Sequence, residues 1–114
     1  MNPYIYPGLE STQILKPHEL LDKLVKIICR NRGITEQDLM SKSRLHSLVM
    51  SRHEFCFLAR NKTKLSLNMI GALIGKNHAT VLHSIKTWEN LLETDFNIRA
   101  YHMRTLNELN FKIN

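Results

Sequence analysis

One break in the sequence constrains the fold more than any other feature: Gly75-Lys76-Asn77 parts two stretches of helical spacing. Before it, Met69, Ile70, Leu73 and Ile74 recur at three- and four-residue steps, behind a serine at Ser66 suited to cap a helix. After it, Val81, Ile85, Trp88 and Leu92 follow at steps of four, three and four. Two short helices joined by about three residues that include a glycine are the signature of a helix-turn-helix. A period-two alternation, which a half-buried strand requires, persists nowhere in the chain.

The remaining stripes build a body around that corner. Pro17 opens a first helix over 17–32, with Leu20, Leu21, Leu24, Ile27, Ile28 and Cys29 inward, and Gly33 closes it. Thr35 opens a short second helix over 36–41 with acids in its first turn. A loop over 43–46 leads to a third helix capped by Ser47 or Ser51 and reaching about Asn61, with Leu48, Phe55, Leu58 and Ala59 on its apolar face. Met69, Ile70, Leu73 and Ile74 are expected to turn inward on the fourth helix, and Met40, Met50 and Met69 to fill gaps in the core. Asp95 caps a sixth helix bearing Phe96, Ile98, Tyr101, Leu106 and Leu109. The predicted fold is all-α, an orthogonal bundle of about six helices over 17–114, preceded by an extended arm over 1–16. Tyr4, Ile5 and Tyr6 make that arm apolar enough to dock on the body.

The charge is +6 overall, and its distribution matters more than its total. Eight basic residues lie between Lys42 and Lys86 with Glu54 as the one acid, so that stretch carries +7 and the remainder of the chain nets −1. Such a concentration suits phosphate neutralisation, although a solvated basic face would look the same. The helix after the break starts with Asn77, His78, Ala79 and Thr80, before its apolar stripe is established. A helix that enters the major groove needs that order, since its first turn meets base edges while later turns pack on the body. Asn can bond adenine through two atoms, Thr and Ala can meet a thymine methyl, and Lys can reach guanine or phosphate. The site expected from sequence comprises Arg44, Arg52, Arg60, Lys62, Lys64, Ser66, Lys76, Asn77, His78, Ala79, Thr80 and His83. For several of these a structural role competes. Lys62 and Lys64 suit an ordinary solvated turn, Arg52 suits Glu54 or the protein's own carbonyls, and His83 suits a bond within the hairpin.

The run Ser66-Leu67-Asn68-Met69-Ile70-Gly71-Ala72-Leu73-Ile74-Gly75-Lys76-Asn77-His78-Ala79-Thr80-Val81-Leu82-His83-Ser84 resembles the signature of a known family. That family is the C-terminal DNA-binding domain, domain IV with a Trp-repressor-like helix-turn-helix, of the bacterial chromosomal replication initiator DnaA. The likeness spans about Pro17 to Leu109, and here the domain would stand alone. It implies sequence-specific binding of double-stranded DNA in replication initiation or its regulation. By position, it implies a minor-groove role for Arg44, a major-groove role for Asn77, His78, Ala79 and Thr80, and backbone contacts for Arg60 and Lys76. Ser41-Lys42-Ser43-Arg44 resembles the family's basic loop, and Arg52 and Arg60 match basic positions of its third helix. The family usually carries Asp at the position of Asn77 and Ser or Thr at that of Ala79. Replacing an acceptor-only carboxylate with an amide changes which base is favoured, and Ala79 loses a hydroxyl.

Other chemistries find little support. Gly71-Ala72-Leu73-Ile74-Gly75-Lys76-Asn77 has three residues between its glycines where a P-loop has four, and Asn where Mg²⁺ needs Ser or Thr, so no nucleotide is expected. No paired carboxylates or nucleophile-base pair suggest an enzyme, and the histidines lack metal-ligand spacing, so neither catalysis nor a metal or other cofactor is expected. Cys29 and Cys56 fall on apolar stripes and suit buried free thiols. No apolar run could span a bilayer and no secretory pattern opens the chain, so the cytoplasm is the expected location. The expected partner is duplex DNA, with a replication or transcription protein as a second; the rival role is a transcriptional regulator or a protein-interaction adaptor on the same fold.

Overall fold

A computed structural model describes residues 16–111; all of the expected arm but Lys16, with its Tyr4-Ile5-Tyr6, and the last three residues lie outside them. Among the described residues there are six helices and no strand: α1 (Pro17–Arg32), α2 (Glu36–Met40), α3 (His46–Lys62), α4 (Leu67–Ile74), α5 (His78–Thr94) and α6 (Phe96–Phe111). The fold class is the predicted one. The central element is α3, against which α1, α2, α4 and α5 all pack, while α6 closes the bundle on α1 and α5.

Local chemistry places most helix ends where the sequence put them. At the start of α1, Glu19 accepts from the backbone N–H of Lys16, and at its end Gly33 takes the left-handed conformation at φ 66°. Thr35 and Asp38 cap α2 reciprocally, each side chain accepting from the other's backbone N–H at 3.0 Å. Ser66 Oγ accepts from Met69 N–H at α4, and Asp95 Oδ1 accepts from Asn97 and Ile98 N–H at α6. The exception is α3, which begins at His46 without a side-chain cap, one residue ahead of Ser47 and five ahead of Ser51. Ser51 is fully buried and its hydroxyl donates back to Ser47 O, so it is spent inside the helix.

The core joins Leu21, Leu24, Ile27 and Ile28 of α1 to Phe55, Leu58 and Ala59 of α3, Ile70 and Ile74 of α4, and Val81 and Ile85 of α5. Cys29 and Cys56 are free and buried, and burial pushes their thiols up to about 11 and about 12. Three apolar expectations fail. Met40, Met69 and Leu73 are exposed, whereas Met50 is buried. Only one side of α4 meets the body, through Ile70, Gly71 and Ile74, which leaves Met69 and Leu73 one step round the helix and facing out.

Polar contacts fasten α6 to this core. Glu54 is fully buried and pairs with Arg32 at 3.1 Å. Arg32 lies over the Tyr101 ring at 4.4 Å, and the Tyr101 hydroxyl donates to Asn31 O at 2.7 Å. Trp88 Nε1–H donates to His102 Nδ1 at 3.2 Å, which fixes the neutral imidazole with its proton on Nε2. Burial, aided by Lys62, lowers His102 to about 4, and burial raises the Glu54 carboxyl above its ordinary range despite Arg32.

Candidate nucleic-acid interface

The corner between α4 and α5 is made by backbone packing. Gly75 takes φ 68°, and Lys76 N–H donates to Gly71 O at 2.8 Å. A Cβ on Gly71 would lie 2.2 Å from Lys76 O and 3.2 Å from Val81 Cγ2, so the turn closes only because residue 71 lacks a side chain. This close approach sets where α5 starts.

Asn77 begins that helix as its cap, with Oδ1 accepting from Thr80 N–H at 2.9 Å. The oxygen assigned to a base from sequence is therefore engaged in the helix start, leaving the amide NH₂ to face outward. Aspartate would cap equally well, so this departure from the family preserves the local structure and removes one negative charge. His78, Ala79 and Thr80 follow and are all exposed, while Val81, Ser84, Ile85 and Trp88 turn inward. The outward row continues through Leu82, His83 and Lys86, which share one shallow concavity with His78 and Ala79. Leu82 and Lys86 were absent from the expected site. They stand four and eight residues after His78, on the same face of the helix, and that spacing is the signal that marks them.

Beside this turn lies the loop after α2, with Lys42 and Arg44 exposed on it. Its shape is imposed by Arg52, only 7% exposed. The Arg52 guanidinium donates to Leu39 O, Ser41 O and Ser43 O at 2.7 Å each and to Asp38 O at 3.1 Å. A direct role for Arg52 in contacting a ligand gives way to this one, because its donors are consumed by the protein's own carbonyls. Lys76 Nζ adds a bond to Ser41 O at 3.2 Å, tying the loop to the start of α5. Lys76 is lowered first by burial and then by Arg52, Lys42 and Arg44, which records four cations gathered at one place.

The other expected residues divide. Arg60 is exposed but donates from Nη1 to Leu65 O, shaping the connector between α3 and α4. Lys62 and Lys64 are exposed on that connector, and Ser66 is spent as the α4 cap. No described hydrogen bond joins this group to the 41–45 loop. His83 approaches Thr87 Oγ1 at 3.5 Å on its own helix and meets the His53 ring edge-on, with centroids 6.1 Å apart. His53 lies beneath it, lowered to about 4 by burial and then by His83, Arg52 and His46, so it is neutral at pH 7. Among the described residues no three His, Cys, Asp or Glu side chains converge as a metal site, and no helix is long and apolar enough to cross a membrane.

The arrangement gives a helix start with exposed polar and apolar groups, flanked by Lys42, Arg44 and Lys76, on a corner closed by backbone packing. Anions and base edges are what such a surface can hold. Comparison with known proteins agrees with that chemistry. The family described as the bacterial DnaA protein helix-turn-helix matches residues 21–87. The chain is 37% identical over 81 residues to the chromosomal replication initiator protein DnaA of Bacteroides thetaiotaomicron, covering 70% of this chain and 17% of that protein. It is 32% identical over 93 residues to the DnaA of Borrelia hermsii, covering 81% and 19%. It is 38% identical over 80 residues to the DnaA of Geobacter sulfurreducens, covering 69% and 18%. The chain thus spans less than a fifth of the length of these relatives.

Proposed function

Because the chain belongs to the family of the bacterial DnaA protein helix-turn-helix, we propose that it binds double-stranded DNA sequence-specifically, through the first turn of α5 in the major groove and Arg44 in the adjacent minor groove. The observation that carries this reading is the junction of the 41–45 loop with the start of α5. Lys76 bonds Ser41 O there, so the loop that bears Arg44 is tied to the turn that starts α5 at His78-Ala79-Thr80. His78 and Ala79 meet base edges and Thr80 the backbone or a base. Lys42, Lys76, Lys86, Arg60, Lys62 and Lys64 neutralise phosphates.

The role of this binding is replication initiation or its regulation at the sites where it competes with, or recruits, an initiator. A transcriptional role on the same fold follows from the same surface. On this reading binding draws on no nucleotide, and the helix end and turn formed by residues 71–77 support it. The work is that of a cytoplasmic binding protein without catalysis, and a replication or transcription protein is its second partner.

Selection of duplexes from a random pool, followed by gel-shift titration of the enriched site, tests the proposal. An enriched motif bound at least about 10³-fold more tightly than random duplex is expected. Failure to bind even random duplex at low salt overturns it.

A further inference from the structure

A groove of about 420 Å³ lies between α1, α2 and α4, and no residue of α5 lines it. Leu21, Leu39, Phe55 and Ile74 form its floor, and Met40 and Leu73 its wall. Met40 and Leu73 are 49% and 44% exposed, so this apolar surface is open to water in the described residues. The rim carries Glu19, Asp22 and Glu36, and among the described residues neither Lys nor Arg lines it. In a chain of charge +6 this is an apolar slot edged by acids.

We propose that Tyr4-Ile5-Tyr6, ahead of α1, occupies this groove. The tether permits it. The described chain starts at Lys16, the lining begins at His18, and nine residues separate Tyr6 from Lys16. Those nine residues reach up to about 30 Å when extended, ample for a return along α1. A short tether also gives an effective concentration in the millimolar range, well above that of a separate molecule. The chemistry matches as well. No charged side chain lies between Asn2 and Leu9, so the segment meets the acidic rim without repulsion. Its two phenols supply O–H donors to carboxylates that accept only, while their rings and Ile5 cover the apolar floor. Pro3 and Pro7 bracket the segment and lower the entropy lost when it is held extended. The groove wall is also structurally coupled to the loop that bears Arg44: Met40 precedes Ser41, and Met40 O lies 3.8 Å from where a Cβ on Gly75 would stand. A filled groove therefore buttresses the turn and the loop together.

Nuclear Overhauser spectroscopy of the full chain with ¹³C-methyl Met and Leu tests this. Tyrosine occurs only at positions 4, 6 and 101, and Tyr101 is bound to Asn31 on α1, outside the groove lining. Cross peaks from the Met40 and Leu73 methyls to the Tyr4 or Tyr6 rings are expected, unchanged on dilution. Both methyls should shift in a Tyr4→Ser, Tyr6→Ser double variant whose α3 amides do not move. Absent cross peaks, or methyl shifts identical in variant and wild type, overturn the proposal. Cross peaks that appear only between differently labelled molecules overturn it too, since they seat a second copy in the groove.

Discussion

Lys76 O lies 2.2 Å from the position a Cβ would take on Gly71, so the backbone of the turn occupies the space of a missing side chain. The corner between α4 and α5 depends on that contact, and with it the direction in which His78 is presented. Gly71→Ala should lower stability by about 2 kcal/mol or more through overpacking against rigid backbone. Gly33→Ala, at φ 66° with nothing within 4 Å, should cost about 1 kcal/mol from the left-handed conformation alone. Urea denaturation of both variants checks the order. A Gly71→Ala protein as stable as Gly33→Ala would remove the close approach from the account.

Arg52 and Arg44 should separate stability from binding. Arg52→Ala strips donors from four carbonyls and should cost about 2–4 kcal/mol of stability, with DNA affinity falling as the loop loosens. Arg44→Ala touches an exposed side chain and should leave the unfolding midpoint unchanged while weakening specific binding by about 1–3 kcal/mol. His78→Ala should behave like Arg44→Ala. Thermal melts beside gel shifts on the selected site distinguish the two classes. Equal affinity for wild type and both exposed-site variants would dismiss the interface.

The Asn77 cap makes a paired prediction. Asn77→Ala should cost about 1 kcal/mol of stability, because Thr80 N–H loses its acceptor. Asn77→Asp keeps the acceptor and gains from the helix dipole, by about 0.3–1 kcal/mol, yet should bind random duplex more weakly by setting a carboxylate beside phosphates. Melting curves and low-salt titrations read the opposite signs. A parallel response of stability and affinity would refute them.

Binding should be strongly salt-dependent. With about five to seven phosphates neutralised, log K should fall against log[salt] with a slope of about −5 to −6. Lys42→Ala or Lys86→Ala should reduce that slope by about 1 each while leaving the selected sequence unchanged. A slope near zero would mean that the basic segment is a solvated face.

Acid should destabilise the fold before its carboxylates titrate. His53 and His102 are held neutral by burial, each near 4 against an ordinary 6.5. Well above pH 6.5 neither folded nor unfolded chain protonates them, and the stability they permit is complete. As pH falls from 6.5 toward 4 the unfolded chain takes up to about two more protons than the folded one, so stability declines through that window. Glu54, raised by burial, takes its proton earlier in the folded state and offsets part of the loss at the acidic end. Midpoints measured from pH 7.5 to 4.5 should be flat and then fall by several degrees. His102→Asn should shallow the fall, and an unchanged slope would dissociate it from this residue.

Among the site residues, the sequence made the start of α5 legible because a glycine turn, a capping residue and a four-residue apolar stripe are local features. It made Arg44 legible only through resemblance, since an exposed arginine in a loop has no periodic neighbour to mark it. Leu82 and Lys86 could have been found by stepping along the helix from His78 and were not.

The helix ends other than the start of α3, the two left-handed glycines, the all-helical class and the basic segment follow from the order of residues, because each depends on contacts a few positions apart. The tertiary structure alone decided that Arg52 serves four carbonyls, that Met40 and Leu73 face a groove, and that His53 lies beneath His83. Periodicity fixes where a side chain points on its own helix. Which neighbour occupies that direction, and whether a cation there meets carbonyls or solvent, is set by helices distant in the chain, and that is what separates the structural arginine from the exposed one.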